Sequence, residues 1–300
     1  MTATSPALRG GDPFVTTTGR AFDLTSARNG RDYRVFVDVP ETPPPAEGFP
    51  VLVVLDGNLH FALAAGLQRS LVLAGEVRPA VVVGVGYPTD DLLAALTLRF
   101  QDLSLPARAD WLAGLGWSAP GMTVDTTGGL DAFLEGLEHE ILPAVAGLAP
   151  TNLADHALFG HSLAGHAALH ALFRRPGAWR SVIASSPSIW WADDAVLAGE
   201  RTLADADLAG RRILLCVGAL EAEPDRAALT HFGSRAAAEA ALSRSRMVEN
   251  VRALGARLAG RPGAVVSTVV FEGEGHVTVI PAAVCRALQF AIGLEPPAGA

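Results

Sequence analysis

The stretch Leu158-Phe159-Gly160-His161-Ser162-Leu163-Ala164-Gly165 reads as an apolar strand running through Gly-x-Ser into a helix. A tight strand-to-helix turn of this kind holds its serine in strained backbone geometry with Oγ lifted above the sheet. Small residues flank the serine because the helix must pack close to the strand. The usual pattern has Gly two positions after Ser; Ala164 stands there and keeps the small size. A bare Gly-x-Ser match is also what an ordinary turn would give, so the weight comes from the context. A serine hydroxyl is a poor nucleophile and needs a base within hydrogen-bond reach. His276, in Phe271-Glu272-Gly273-Glu274-Gly275-His276, follows the last strand-like run, and glycines free its loop. The other histidines fit worse. His166 and His170 fall on the helix after the turn, His139 and His156 read as surface-helix and strand-entry positions, His231 comes too early, and His60 and His161 adjoin functional turns but are misplaced to serve as the base.

An acid should orient that imidazole, in the chain order Ser, acid, His, from the turn after the strand Arg212–Gly218. Glu221 is the first carboxylate there. Asp225 is the runner-up, and Asp193 or Asp194 could supply a carboxylate from the preceding turn. A solvated loop role for Glu221, or a Ser–His pair with no acid, is the competing reading. Glu274 sits in a tight loop, where a structural role fits better. The oxyanion of acyl transfer needs two preorganised donors, each worth roughly 2.7–4 kcal/mol of barrier. One is the Leu163 backbone N–H, directly after the nucleophile. The other is the Asn58 backbone N–H in the turn Asp56-Gly57-Asn58, where Asn58 would also suit a helix N-cap.

These residues need a scaffold, and the hydrophobic pattern supplies one. Phe49–Asp56, Pro79–Gly86, Ala154–Phe159, Ser181–Ser185, Arg212–Gly218 and Val265–Phe271 are short apolar runs. Between them lie helical spacings over Leu59–Leu73, Gly128–Leu148 (kinked near its end by Pro143), Leu163–Phe173, Ser234–Leu258 and Val277–Ile292. Near-continuous apolar strands alternating with helices predict a mostly parallel sheet covered on both faces. Phe14–Leu24 and Asp32–Val39 alternate more, as an antiparallel edge hairpin would, giving an α/β fold of about eight strands. One domain spanning residues 1–300 is expected, with lid-like insertions around 88–127 and 186–210. Both would lie over the C-terminal ends of the strands, where ligands bind in open α/β sheets.

Composition narrows the classes. The chain has 300 residues, half of them hydrophobic, enough for a substantial core. Net charge is −8 and all 23 basic residues are Arg, so no basic footprint argues for nucleic acid. Cys216 and Cys285 make no disulfide framework and read as buried thiols. No apolar run is long enough to span a bilayer, and residues 1–14 carry no signal-peptide pattern, so a soluble cytoplasmic protein without membrane partners is expected.

Several stretches together resemble the esterase D-like esterase family of α/β hydrolases. They are Leu55-Asp56-Gly57-Asn58, Val83-Gly84-Val85-Gly86-Tyr87-Pro88, Gly160-His161-Ser162, Ser185-Ser186-Pro187-Ser188-Ile189-Trp190-Trp191 and Gly273-Glu274-Gly275-His276-Val277-Thr278-Val279-Ile280-Pro281. Within the family they look most like siderophore trilactone esterases, and the likeness runs from about Phe14 to Ile292. It implies an α/β-hydrolase fold, Ser162 as nucleophile, His276 as base, no metal or other cofactor, and hydrolysis of an ester or lactone. Some relatives work with a Ser–His dyad, so the role of Glu221 stays open. Arg99-Phe100-Gln101-Asp102-Leu103-Ser104 resembles the family's Arg-x-x-Asp-Leu-Thr stretch and then departs from it.

A tricatecholate siderophore, free or ferric, is large, aromatic and anionic when iron is bound. Its pocket should offer aromatic faces and Arg groups. Arg99, Trp190 and Trp191 are the substrate-side candidates, with Arg108, Trp111 and Trp117 in the same two insertions. The bland alternatives are lid packing for the tryptophans and an Arg99–Asp102 surface pair at i,i+3. A general small-ester carboxylesterase, an acyltransferase and a non-catalytic binding protein on the same fold are the alternatives for function.

Overall fold

The computed structural model describes residues 19–115, 121–204, 206–224, 229–230 and 232–294. In chain order its elements are β1 Gly19–Thr25, β2 Asp32–Asp38, β3 Phe49–Leu55, α1 Gly57–Leu73, β4 Val81–Gly86, α2 Leu92–Leu103, α3 Ala109–Ala113, α4 Leu130–Gly136 and α5 Leu142–Ala146. There follow β5 Thr151–His161, α6 Leu163–Arg174, β6 Ser181–Ser185, α7 Leu197–Thr202, β7 Arg212–Gly218, α8 Arg235–Ser245, α9 Met247–Ala259, β8 Val265–Phe271 and α10 Ile280–Ile292.

The strands form one eight-stranded sheet in the order β1-β2-β4-β3-β5-β6-β7-β8. β1 and β2 pair antiparallel, β2 meets β4 antiparallel, and every pair from β4 to β8 is parallel. This is the doubly covered α/β-hydrolase arrangement that the apolar strands imply. Alternation within a strand divides the core. Val51, Val53 and Leu55 of β3 face one layer with α4, α6 and α9, while Leu52 and Val54 face the other with α1 and α10. Ile213, Leu215 and Val217 of β7 likewise oppose Leu214 and Cys216. A two-residue period across a sheet buried on both faces produces this split.

Two expected helices are broken. Gly128–Leu148 is α4, a π-turn over Leu137–Ile141, and α5. Pro143 lacks the N–H that an α-helix would give to the carbonyl four residues back, and the preceding turn widens. Ser234–Leu258 divides at Arg246, whose φ is 43°. α9 buries Met247, Val248, Val251, Leu254 and Leu258, whereas Ala238 is the one buried residue of α8. The break lets the apolar helix lie on β7 and β8 while the polar one turns away. Among the described residues, no helix is long and apolar enough to cross a membrane.

Candidate active site

Ser162 sits at φ 60°, ψ −119°, between the end of β5 and the start of α6. That conformation costs a non-glycine residue of order 1–3 kcal/mol and persists only where surroundings enforce it. Here they do. The Ser162 N–H donates to Ser185 O (2.9 Å), and its carbonyl accepts from the N–H groups of His166 and Ser188 (both 3.0 Å). Gly160 permits the turn, because a Cβ there would stand 2.0 Å from the Ala164 carbonyl oxygen. Ala164 itself is buried and fits.

The sheet brings the three sequence candidates together. β5 ends in Ser162, β7 runs into the turn Ala219–Ala222 carrying Glu221, and the loop after β8 carries His276. His276 Nε2 lies 2.9 Å from Ser162 Oγ, and His276 Nδ1 lies 2.7 Å from Glu221 Oε2. The other oxygen, Oε1, accepts from Gly218 N–H (2.9 Å) and Ser186 Oγ–H (2.5 Å). Two donors on Oε1 leave Oε2 to accept from Nδ1–H, and this tautomer makes Nε2 the acceptor for the serine proton. The Glu221 side chain is 2% exposed and that of His276 is 44% exposed, so the carboxylate is dry and the imidazole open to solvent. The backbone carbonyl of Glu274 accepts from Leu220 N–H (2.9 Å), joining the Glu221 turn to the His276 loop. Asp193 contacts Arg108 instead (3.3 Å). Asp225, Trp117 and His231 lie outside the described residues.

β3 and β5 are neighbours in the sheet, so the first turns of α1 and α6 stand side by side above it. Leu163 and Asn58 belong to those first turns, where backbone N–H groups have no intrahelical acceptor. Asn58 is not the N-cap. Asp56, at φ 55°, holds the N-cap position of α1 without a side-chain capping bond, and the Asn58 side chain reaches across instead. It accepts from Tyr87 N–H (2.7 Å) and donates to the carbonyls of Tyr87 (2.9 Å) and Thr89 (3.0 Å). The turn after β3 is thereby tied to the end of β4.

Arg99 is not half of a surface pair with Asp102, and its fork is not aimed at a ligand. Its Nε and Nη2 clamp the two oxygens of Asp56 at 2.9 and 2.7 Å, nearly out of water. Asp102 is fully buried; it accepts from Tyr87 Oη–H (3.0 Å) and forms an ion pair with Arg31, whose Nε lies 3.1 Å away. Trp191 is also corrected: it is buried in the core, and its indole N–H donates to Leu105 O (2.8 Å). Trp190 is half-buried and stacks on Trp111, with centroids 5.9 Å apart and planes at 24°. The turn that follows holds Ala192, Asp193 and Asp194 all at positive φ, which re-aims the chain after the two tryptophans.

Sequence reasoning gave no role to two residues beside the triad. Ser186 appeared only as a motif letter, and its φ of 41° cannot be read from its identity. His161, buried beside the nucleophile, places Nδ1 3.1 Å from Ser185 Oγ and its ring 4.8 Å from that of His276. Burial, reinforced by His276, pushes its imidazole well below the ordinary value, so it stays neutral. Cys216 is buried, and burial raises its thiol to about 12; Cys285 is half-buried. Among the described residues, no group of three His, Cys, Asp or Glu could hold a metal ion.

Known proteins resemble this chain over most of its length. A family model described as "Putative esterase" matches residues 116–252. The ferri-bacillibactin esterase of Bacillus subtilis is 31% identical over 290 residues, 93% of this chain and 91% of that protein. The siderophore triacetylfusarinine C esterase of Aspergillus fumigatus is 33% identical over 250 residues, 80% of each. The crystal structure of the BES protein from Bacillus cereus superposes with a TM-score of 0.79 at 26% identity, covering 95% of this chain and all of that one.

Proposed function

Because the chain belongs to the esterase family that this model describes, and is a serine hydrolase of carboxylic ester bonds, we propose that Ser162, His276 and Glu221 are its catalytic triad and that its substrate is a siderophore ester. The observation that carries the first part is the continuous relay from Ser162 Oγ through His276 to Glu221, with contacts of 2.9 and 2.7 Å. Ser162 Oγ attacks the ester carbonyl as its proton passes to His276 Nε2. Glu221 holds Nδ1–H and stabilises the imidazolium that forms. The Leu163 and Asn58 N–H groups receive the oxyanion. The imidazolium returns its proton to the leaving alcohol, which leaves an acyl-Ser162. Water deprotonated by His276 then releases the acid and restores the serine.

Relatives whose printed names are siderophore esterases support the substrate class. A further support is the half-buried Trp190 stacked on Trp111, two residues beyond Ser188, whose N–H donates to the Ser162 carbonyl. An aromatic face so placed suits a catechol ring of a tricatecholate trilactone. Arg99 is committed to the buried Asp56, so its fork is not available to substrate, whereas Arg108 stays mostly exposed beside Asp110 and Asp193. We read the whole chain as one catalytic domain, with residues 88–127 and 186–210 over the site, working in the cytoplasm.

The test is a mass-spectrometric time course on a tricatecholate trilactone, free and ferric. Wild type and Ser162→Ala are compared, with p-nitrophenyl butyrate in parallel. Ser162-dependent ring opening supports the full reading. Cleavage of the butyrate alone removes the siderophore and leaves a general small-ester carboxylesterase. Turnover by Ser162→Ala refutes the mechanism.

A further inference from the structure

We propose that Ser186 is a positioning residue for the acid of the triad, a fourth member of the relay acting through Glu221. The inference rests on the triad reading above and extends it by one residue.

The geometry is specific. Ser186 is fully buried, directly after β6, and its N–H donates to Cys216 O in β7 (2.6 Å). That bond fixes the residue at the seam between two parallel strands. From there its hydroxyl reaches Glu221 Oε1 at 2.5 Å, on the side of the carboxylate opposite His276. A hydroxyl beside an ionised carboxylate must donate. Gly218 N–H, the second donor to Oε1, lies three residues from Glu221 on the same turn and moves with it. Apart from His276, the group it is to position, Ser186 ties the carboxylate to a different strand. Without that tie, Glu221 keeps the Gly218 bond on its own segment and the His276 bond, and nothing from β6 fixes its rotation.

The backbone gives a second, independent indication. Ser186 holds φ at 41°, a conformation that favours glycine, yet a serine stands there. A purely structural turn at this position would be served better by Gly. Strain kept in a fully buried polar residue against the acid is a mark of function.

The strain makes the proposal testable. Ser186→Gly removes the hydroxyl and relieves the backbone, so a structural role and a positioning role predict different outcomes. The groups that face His276 are Glu221 from the β7 turn and neutral His161 from β5, with His60 and Arg99 behind His161. Only the hold on Glu221 changes in the variant. Ser186→Gly is expected to keep or raise Tm while kcat on p-nitrophenyl butyrate falls about tenfold, the scale of one hydrogen bond to a charged group. KM stays near wild type. The acid limb of kcat/KM moves down by about half a pH unit, because an imidazolium with a wandering partner is held less well. Glu221→Gln moves it the same way and further. Ser186→Ala, which keeps the strain, shows the same kinetic loss with no gain in Tm.

Wild-type kcat and pH profile in Ser186→Gly, with Ser162→Ala inactive and Glu221→Gln slowed and its acid limb moved, overturn the inference and leave the triad standing. A loss of activity that follows a fall in Tm, with the acid limb unmoved, also overturns it. Full turnover by Ser162→Ala overturns the triad, and the inference with it.

Discussion

The proposed acid and base, Glu221 and His276, sit on different loops, and one glycine sets how closely those loops approach. Gly218 ends β7, donates its N–H to Glu221, and packs against the chain two residues before His276. A Cβ at Gly218 would lie 2.3 Å from the Glu274 carbonyl oxygen, 2.8 Å from its carbon and 3.0 Å from the Gly275 oxygen. All three are backbone atoms, so no side chain can swing aside. Ordinary contact requires about 1 Å more. Gly218→Ala must therefore push the 274–276 segment away from the Glu221 turn by about that distance. The Nδ1···Oε2 contact of 2.7 Å cannot survive such a shift, and the Leu220 N–H to Glu274 O bond is strained with it. A misplacement of 1 Å in a catalytic group costs about a hundredfold in rate, and overpacking of this kind costs about 1–3 kcal/mol of stability. The assay is kcat on p-nitrophenyl butyrate together with the thermal unfolding midpoint. Gly177→Ala, where an added Cβ meets nothing within 4 Å, serves as control. The expected result is a kcat near one per cent of wild type, a Tm lower by several degrees and a wild-type control. A Gly218→Ala enzyme within about twofold of wild-type kcat would refute the argument that this contact sets the acid–base geometry.

Other outcomes follow from the same geometry. Asn58→Ala removes three side-chain bonds between the turn after β3 and Tyr87 and Thr89, so kcat should fall by roughly 10- to 100-fold while KM changes little. Trp190→Ala should raise KM for a tricatecholate ester by several-fold or more and leave p-nitrophenyl butyrate kinetics nearly unchanged; equal effects on both substrates would remove Trp190 from recognition. Burial holds His166 at about 3, against 6.5 for a free imidazole, so as pH falls the unfolded chain takes up that proton first. Its contribution is whole above pH 6.5 and is lost as pH falls toward 3, about 2 kcal/mol by pH 5. His166→Asn keeps a donor for Ser188 O and should flatten the fall of Tm between pH 7 and 5. Gly66 lies within α1 with open space where a Cβ would go, so Gly66→Ala should stabilise by about 0.5–1 kcal/mol without touching activity, as urea unfolding would show.

How much the sequence revealed depended on how local each cause was. β6, β7 and β8 begin and end where the apolar runs do; β6 and β7 are buried on both faces and so mostly apolar, while the edge strand β8 is partly exposed and is marked by its Val-rich run. Ser162 was legible for a similar reason: the strand, the small residues and the helix that build its turn are contiguous. His276 followed from its place after the last strand. Glu221 was less secure, since the turn after β7 holds more than one carboxylate and nothing local says which one faces inward.

Side-chain partners far apart in the chain are where the sequence reading failed. Arg99 and Asp102 share a helix surface on paper, but the fold presents Asp56 to one and Arg31 with Tyr87 to the other. Adjacent tryptophans look alike in sequence, yet one fills the core and the other lies at its edge, because the left-handed turn after them sets the direction of the chain. The break at Arg246 came from the sheet claiming one amphipathic helix and not its polar neighbour. Sequence by itself determined the strands, the nucleophile, the base and the class of chemistry, because each is written in contiguous residues. Only the tertiary structure decided that Glu221 meets His276, that Ser186 bonds the same carboxylate, and that Trp190 stacks on Trp111 while Trp191 is buried. Those depend on a hydroxyl, a carbonyl or a ring brought within about 3–6 Å from a distant strand, and no local pattern encodes that approach.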